Sequence, residues 1–327
     1  MSRVIHRLDF DEAFRRLRQV RQPYHASYLA MYSSWLGGVI TEPGLMVVPI
    51  DDHLVHRGDG IFEAFKCVHG NIYALERHLD RLERSAEAIS LALPTDRTDL
   101  VQTILATIRI ARVSECVIRL FISRGPGGFS TNPYECPARQ FYIVVTRLVT
   151  PSLDKYEQGV TLLSSRIPVK KAYFASIKSC NYLPNVLMKK EAEDAGVHYT
   201  VSIDEQGFMG EGSTENVGII TKQKEFLVPS FASVLRGTTI TRMMELAGAL
   251  VAEGTLTRIA ESHLSVEQAY DAAEMMMFGT TFDVLPVVNY DGHTIGDGKP
   301  GPAFRRFLHL VHADMRHCTE MLTPVAE

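Results

Sequence analysis

The stretch SIKSCNYLPNVLMKKEAEDAG, residues 176–196, places Lys178 just before a predicted helix. Pro184 falls in the early turns of that helix, where proline is tolerated because the first backbone N–H groups have no intrahelical acceptor. If Lys178 lies among apolar neighbours, the loss of solvation lowers its pKa and frees the amine as a nucleophile. A nucleophilic lysine is what Schiff-base chemistry requires. For this residue taken alone, the alternative is an exposed lysine at a helix start.

Two segments downstream can supply partners for such a lysine. In GEGSTENVGII (210–220), Glu211 lies in a turn of small residues before a strand, and a buried carboxylate there can pair with a cationic ring nitrogen. Gly237, Thr238 and Thr239 precede an amphipathic helix. The free N–H groups, the hydroxyls and the positive end of that helix favour an anion.

A second Gly-Thr-Thr, residues 279–281, follows an apolar run. Two hydroxyl-rich turns can grip one phosphate from two sides. Each segment also has an ordinary interpretation: a surface glutamate at Glu211, a threonine N-cap at 238–239 and loop chemistry at 279–281. The residues alone therefore leave these alternatives open.

Other chemistries find little support in the sequence. It contains no G-x-x-x-x-G-K-[ST] phosphate loop, no H-E-x-x-H zinc motif and no G-x-S-x-G nucleophile elbow. The five cysteines form no C-x-x-C pair and no cluster with histidine. This pattern predicts that the chain has no metal site and that its thiols are free in a reducing cytoplasm.

The composition is that of an ordinary globular chain of about two domains. Of 327 residues, 46% are hydrophobic and 22% are charged, and the formal net charge is −4. This balance gives no reason to expect nucleic acid or a membrane as a partner, and no apolar run approaches the roughly 20 residues that span a bilayer. The N-terminal stretch lacks the apolar core of a secretory signal and carries Asp9, Asp11 and Glu12, unlike a transit peptide. We therefore expect a cytoplasmic protein.

The apolar pattern predicts strands in runs, which favours an α+β fold over a doubly wound sheet. Residues 69–71 and 289–292 are typical of hairpin turns. The pattern lapses at 150–156, so we expect an interdomain linker there, between a smaller domain at 1–149 and a larger domain at 157–327 that carries the lysine. Predicted strands lie at 28–34, 45–50, 61–68, 72–76, 117–124, 141–149, 160–166, 199–204 and 217–221, and predicted helices at 8–21, 76–91, 97–112, 183–195, 240–253 and 302–316.

Six segments, listed at the end of this paragraph in chain order, together resemble the fold-type IV (class IV) enzymes that depend on pyridoxal 5′-phosphate (PLP). That family includes branched-chain aminotransferases, D-amino acid aminotransferases and aminodeoxychorismate lyases. The resemblance covers about residues 28–316, and the stretch 31–58 looks especially like plant-type D-amino acid transaminase and aminodeoxychorismate lyase homologues. It implies a homodimer with PLP in the cleft between two domains. The segments are HRGDGIFEAFK (56–66), LERHLDRLERSA (75–86), IKSCNYLPNVL (177–187), GEGSTENVG (210–218), LRGTT (235–239) and FGTTFDVLPV (278–287).

The resemblance implies a role for each matching position. Lys178 would hold PLP as a Schiff base and shuttle a proton between the substrate Cα and the cofactor, and Arg81 would bind the phosphate with its guanidinium fork. Glu211 would pair with the pyridine nitrogen and keep it protonated, so that the ring accepts electrons. Tyr182 would hydrogen-bond the ring oxygen. Phosphate contacts are implied for Thr239 and Thr280, with Thr238 and Thr281 as weaker candidates.

The resemblance also leaves two reactions open. Phe62, Glu63 and Ala64 follow the aminotransferase pattern, which implies ping-pong amino transfer between an amino acid of D- or branched-chain type and a 2-oxo acid. ISRGPGGFST (122–131) resembles the lyase loop instead, and implies release of pyruvate and 4-aminobenzoate from aminodeoxychorismate. The sequence lacks the tyrosine and the Arg-x-His that hold the substrate carboxylate in bacterial D-amino acid aminotransferases. Substrate contacts are therefore expected from Phe62, Arg124, Arg236 and the backbone amides of 125–129.

Overall fold

A computed structural model describes residues 5–326 of the chain. Within this range, two β-sheets carry helices packed on their faces, so the predicted α+β class is confirmed. The α-helices are α1 (Phe10–Gln19), α2 (His53–His56), α3 (Leu75–Ala88), α4 (Arg97–Ala111), α5 (Leu153–Glu157), α6 (Ala172–Ala175), α7 (Leu183–Ala195), α8 (Thr238–Leu246), α9 (Gly248–Ala252), α10 (Val266–Tyr270) and α11 (Pro302–His317).

The first sheet is antiparallel throughout its seven strands. On β5, alternate residues point to opposite faces, so Ile118 and Leu120 enter the core with α3 and α4, whereas Arg119 and Phe121 lie on the other face. The strands, in spatial order, are β16 (Leu322–Pro324), β4 (Asn71–Tyr73), β3 (Gly60–Val68), β5 (Cys116–Ser123), β6 (Gln140–Arg147), β1 (Tyr28–Ser33) and β2 (Gly38–Ile40).

The second sheet is mixed, because β11 with β12, β14 with β7 and β7 with β8 pair in parallel. Apolar side chains cover both of its faces, one of them packed against α8, α9 and α11. Its strands, in spatial order, are β12 (Arg258–Ser262), β11 (Glu225–Pro229), β10 (Asn216–Ile220), β13 (Glu274–Gly279), β14 (Asp283–Tyr290), β7 (Val160–Ser165), β8 (Tyr199–Ile203) and β9 (Met209–Gly212), with β15 (His293–Thr294) paired to β14.

Helix α3 carries polar groups toward the space between the sheets. Its apolar stripe is nearly inaccessible, with Leu79 and Leu82 each 1% exposed, and each such leucine contributes about 1.5–3 kcal/mol of burial free energy. His78, Arg81 and Ser85 lie among the buried residues of the same helix. The packing that stabilises α3 therefore also fixes the positions of these three polar side chains.

Both predicted hairpin turns are confirmed. His69 and Gly70 connect β3 to β4, and Asp291 and Gly292 connect β14 to β15. All four residues have positive φ, as a two-residue turn of type I′ requires.

Two predicted elements are wrong. Residues 45–50 form no strand; a short 3₁₀ turn (Pro43–Leu45) opens the segment, and residues 38–40 pair with β1 instead. The predicted helix at 240–253 is interrupted at Ala247, where α8 ends and α9 begins. At 38–40, pairing with β1 decides the outcome over the local strand propensity of 45–50.

The two sheets correspond roughly to the two halves of the chain, but the C-terminal strand β16 crosses back to the first sheet. Helix α5 occupies most of the predicted linker at 150–156. The domain boundaries therefore stay a proposal, and their outermost residues, 1–4 and 327, lie outside the described residues. Among residues 5–326, no helix has the length and apolar character needed to cross a membrane.

Candidate active site

A cavity of about 470 Å³ opens between the two sheets. Strands β3 and β5 form one wall, and the other is formed by β9, the start of α7, the first residues of α8 and the turn between β13 and β14. A cavity of this size suits a cofactor or another small molecule. Nine of the eleven site residues expected from the sequence line it: Phe62, Arg81, Lys178, Tyr182, Glu211, Thr238, Thr239, Thr280 and Thr281.

Lys178 is held against the first sheet and α3 by its backbone. Its carbonyl oxygen accepts a hydrogen bond from the N–H of Phe62 (3.0 Å), and its own N–H donates to the Ser85 hydroxyl (3.2 Å). The side chain is buried, with Nζ 4.5 Å from the centre of the Phe62 ring. Burial, together with the nearby Arg81 charge, lowers the pKa of the Lys178 amine from 10.5 to about 8. Lys178 therefore has the readily deprotonated amine that covalent catalysis by lysine needs.

Glu211 lies on β9, on the opposite wall, and residues 5–326 place no ion-pair partner on it. Its Oε2 accepts a hydrogen bond from the N–H of Leu235 (3.2 Å). Burial raises the pKa of the Glu211 carboxyl from 4.5 to about 7, although the charges of Lys170 and Lys178 oppose the rise. A cationic group of a ligand beside Glu211 would favour its ionised form, so this carboxyl suits pairing with such a group.

Arg81 is fixed by a fully buried carboxylate. Its Nε and Nη2 donate to the two oxygens of Glu63, each at 2.7 Å, and its Nη1 donates to the carbonyl oxygen of Arg236 at 3.3 Å. Burial alone would raise the pKa of Glu63, but Arg81 and His78 lower it to about 2, so Glu63 is ionised. These bonds leave two of the five N–H donors of Arg81 for an anion in the cavity.

His78 connects this ion pair to the start of α8. An ionised Glu63 only accepts hydrogen bonds, so the His78 Nδ1, 2.7 Å from it, carries a proton. Burial lowers the pKa of His78, which keeps the ring neutral and makes Nε2 an acceptor. The Thr238 hydroxyl, 3.3 Å from Nε2, then donates to His78. Thr238 therefore offers an anion its backbone N–H rather than its hydroxyl.

The N-terminus of α8 forms the end of the cavity beside Arg81. Gly237 is the N-cap residue, and no side chain caps the free N–H groups behind it. A Cβ on Gly237 would lie 1.9 Å from Asn216 Oδ1, so glycine is required for this close approach. The Thr239 and Thr280 side chains line the same cavity. Free N–H groups, hydroxyls and the positive helix end make this the anion-binding end.

Tyr182 and Phe62 flank the lysine. The two rings meet edge to face, 5.0 Å apart, and Lys178 Nζ is 5.9 Å from the centre of the Tyr182 ring. Burial raises the pKa of the Tyr182 phenol, so it stays protonated and can donate a hydrogen bond.

Comparison with known proteins decides the family. The sequence profile of Amino-transferase class IV matches residues 60–290, more than two thirds of the chain. The chain belongs to the class IV aminotransferase family. The predicted resemblance is thereby confirmed, and so is the prediction of an enzyme of this class. The family consists of PLP enzymes whose substrates are amino acids and 2-oxo acids.

Relatives in other organisms are similar to this aminotransferase in sequence, and a solved structure is similar to it in fold. A chloroplastic D-amino-acid transaminase of Arabidopsis thaliana is 38% identical over 290 residues, covering 88% of this chain and 77% of the relative. A putative branched-chain-amino-acid aminotransferase of Methanocaldococcus jannaschii is 28% identical over 267 residues, covering 82% and 91%. The branched-chain amino acid aminotransferase of Thermobaculum terrenum, solved in its PLP form, shares the fold with a TM-score of 0.79, at 19% identity, over 92% of this chain and 99% of that one.

Two residues expected to contact substrate in this aminotransferase lie away from the cavity. Arg124 donates to both oxygens of Asp59, at 2.9 Å and 3.0 Å, and its other N–H groups donate to backbone carbonyls of residues 89 and 90. The Arg236 side chain is exposed, where it bonds Glu261 (2.8 Å) and lies over the Phe231 ring. In this structure both guanidinium groups are directed to protein partners.

Two other basic residues of the aminotransferase, neither of which was predicted from the sequence, line the cavity. Arg119 donates to the Thr146 hydroxyl (3.0 Å), and no carboxylate among residues 5–326 forms an ion pair with it. Burial lowers its pKa. Lys170 Nζ lies 5.3 Å from the centre of the Tyr182 ring, and burial lowers its pKa as well. The alternation of Arg119 with buried residues on β5 was a usable signal, whereas Lys170 lies in an irregular segment that offers none.

Proposed function

We propose that this class IV aminotransferase binds PLP in the cavity between the sheets and moves amino groups between an amino acid and a 2-oxo acid. The observation that carries the proposal is the opposition of Lys178 and Glu211 across one cavity. Burial lowers the pKa of the lysine to about 8 and raises that of the glutamate to about 7. Pairs of groups whose environments displace their pKa values in this way are typical of catalytic sites.

The residues present fit the chemical groups of PLP. Arg81, the N-terminus of α8 and the hydroxyls of Thr239 and Thr280 suit the phosphate. Glu211, a carboxyl without an ion-pair partner in the described chain, suits the ring nitrogen. Tyr182 is a phenol donor for the ring oxygen, and Lys178 supplies the amine. Thr281 lines the cavity beside Thr280 as a further candidate.

Each of these residues has a definite task in amino transfer. When bound, PLP supplies an electron-accepting ring that stabilises negative charge at the substrate Cα. Lys178 Nζ would take the proton from the substrate Cα and deliver it to the PLP carbon that receives the amino group, which requires the neutral amine that burial favours. Glu211 holds a proton on the ring nitrogen by pairing with it. The Phe62 ring, whose centre is 4.5 Å from Lys178 Nζ, keeps water away from the amine.

Arg119 is our proposed anchor for a substrate carboxylate. It lies on the face of β5 that borders the cavity, opposite Ala64 of β3 in the strand register. Phe62, Ala64 and Phe121 form an apolar surface around it that suits an aliphatic side chain. The donor that we propose is an amino acid of D- or branched-chain type, because relatives of this chain carry those names.

A half-reaction screen tests the proposal. The PLP-loaded protein is mixed with single L- and D-amino acids, while the cofactor absorbance and the released 2-oxo acid are followed. We expect at least one D- or branched-chain amino acid to convert the cofactor to pyridoxamine phosphate, with one 2-oxo acid formed per site. No conversion by any amino acid would contradict the proposal. Formation of 4-aminobenzoate and pyruvate from aminodeoxychorismate would assign the lyase reaction instead.

We also propose that the enzyme acts as a cytoplasmic homodimer. Apolar side chains that adjoin cavity residues in sequence are exposed in the single chain, with Phe174 at 62% and Leu183 at 68%. Such exposed apolar groups are typical of surfaces that a partner covers. Sedimentation of the PLP-loaded protein as a dimer would support this, and a monomer that retains full activity would contradict it.

A further inference from the structure

A second, much smaller cavity lies behind the anion-binding end of the site. It measures about 10 Å³, and Lys66, His78 and Asp283 contribute to its lining. Thr238, Thr239 and Thr280 line both this cavity and the large one. These three threonines therefore separate the small cavity from the proposed phosphate position, and its volume is about that of one water molecule.

Lys66 is a buried cation with no part in the chemistry described above. It lies on β3, is 4% exposed, and its Nζ donates to Asp283 Oδ1 at 2.6 Å. Lys66 belongs to the first sheet and Asp283 begins β14 of the second, so the pair joins the two walls of the site. Burying two charges costs desolvation energy, which makes such a pair a poor stabiliser in general. A role in positioning accounts better for its place in the fold.

Asp283 closes the turn that carries Thr280. Its φ is +66°, a left-handed conformation that residues other than glycine rarely adopt. Gly279 pairs with Asp283 across the turn, and Asp283 Oδ2 is 3.5 Å from His312 Nε2 on α11. Both carboxylate oxygens are therefore tied to neighbouring elements, and Lys66 is the partner that reaches across from the first sheet.

Lys66 also has donors to spare. An ammonium group carries three N–H bonds, and Asp283 is the acceptor for one of them. Arg81, the other cation at this end, already forms an ion pair with Glu63. One water in the small cavity can accept from Lys66 and donate to a threonine hydroxyl, which leaves that hydroxyl free to donate to the phosphate.

We propose that Lys66 is a positioning residue for the cofactor phosphate. It fixes the Thr280 turn through Asp283, and through one water in the small cavity it orients the hydroxyls of Thr239 and Thr280. This inference rests on the proposed function, since it assumes that the phosphate of PLP occupies this end of the site.

The test compares PLP binding by the apoproteins of the wild type, Lys66→Met and Lys66→Met/Asp283→Asn. The double variant removes both charges, so it avoids the cost of a lone buried charge. Dissociation constants come from equilibrium dialysis, and the phosphate environment from the ³¹P resonance of the bound cofactor. We expect both variants to bind PLP about tenfold or more weakly than the wild type, with a displaced resonance. Lys66→Arg should recover most of the affinity.

Asp314→Asn is the matched control. Asp314, on α11, is also buried and also bonds the first sheet, since it accepts from Tyr73 of β4 (2.5 Å) and from Arg242 of α8 (2.6 Å), but it lines neither cavity itself. Its variant should bind PLP within about twofold of the wild type. Wild-type affinity and resonance in both Lys66 variants, or an equal loss in Asp314→Asn, would overturn the inference. A wild type that binds no PLP would instead refute the proposed function.

Discussion

The two walls of the cavity place their functional side chains in different ways. On the wall of the second sheet, Glu211, Thr239 and Thr280 lie where a strand, a helix or a turn begins or ends. On the wall of the first sheet, Phe62 and Arg119 lie within long strands, and only the strand register decides where they point. The first kind of position follows from a short local motif, whereas the second depends on the assembly of the whole sheet.

We propose that different residues of the cavity bind the cofactor and the substrate. The second-sheet wall carries Glu211, Thr239 and Thr280, which suit the cofactor, whereas Lys178 and the α3 residue Arg81 reach the cofactor position from the side of the first sheet. The first-sheet strands carry the apolar surface and the basic group that suit the substrate. Variants of the cofactor residues should therefore change cofactor binding and chemistry, and variants on the first-sheet strands should change substrate affinity.

The largest effect is expected from Lys178→Ala. Without the amine, proton transfer at Cα loses its base, and amino transfer should fall by at least about 10³-fold. Turnover of an amino acid with a 2-oxo acid measures this, and Lys190→Ala, on the exposed face of α7, is the control that should retain activity. Full activity in the Lys178→Ala enzyme would contradict the role of Lys178 as the base in amino transfer.

Arg119→Met should weaken substrate binding at the first-sheet wall and leave cofactor binding unchanged. Loss of a charge-assisted hydrogen bond to a carboxylate weakens binding by about 10- to 100-fold, so KM for the amino acid should rise by that amount. PLP affinity should stay at its wild-type value. Arg236→Met, which removes an exposed guanidinium, should leave KM nearly unchanged. The opposite ranking of the two variants would restore Arg236, the residue suggested by sequence, as the carboxylate anchor.

The smallest expected effect is that of Glu211→Gln on the pH dependence of the Tm of the apoprotein. The folded pKa of about 7 lies above the ordinary 4.5, so the fold favours protonated Glu211. That contribution is complete below about pH 4.5 and is lost as pH rises through about 7. Relative to Glu211→Gln, the wild-type Tm should therefore fall by a few degrees over this window. A constant Tm difference would contradict the assigned burial, and the exposed Glu205→Gln provides the control.

Lys178, Glu211 and Thr239 do line one cavity, as expected from the sequence. Their local signals, a lysine before a helix with Pro184 and short runs of small residues, each left an ordinary interpretation open, and the resemblance to a known family selected the functional one. The fold class followed from the runs of predicted strands. The two hairpin turns were predictable as well, because each needs positive φ at only two residues.

The first-sheet wall was harder to predict for a physical reason. Alternation along β5 separates Arg119 from Ile118 and Leu120, but it does not say which face borders a cavity. The sequence suggested Arg124, one residue past the end of β5, as a substrate contact, but its guanidinium donates to the Asp59 carboxylate and does not line the cavity. Long-range pairing also decided against the strand predicted at 45–50, which has no neighbour in either sheet.

The central claim is that Lys178 holds the cofactor, and covalent mapping tests it most directly. The PLP-loaded protein is reduced with borohydride, which fixes a lysine-bound cofactor in place, and is then digested and analysed by mass spectrometry. We predict one labelled site, Lys178, and no label after Lys178→Ala. Label on Lys170 or Lys66, the other lysines that line the two cavities, or no label at all, would contradict the account.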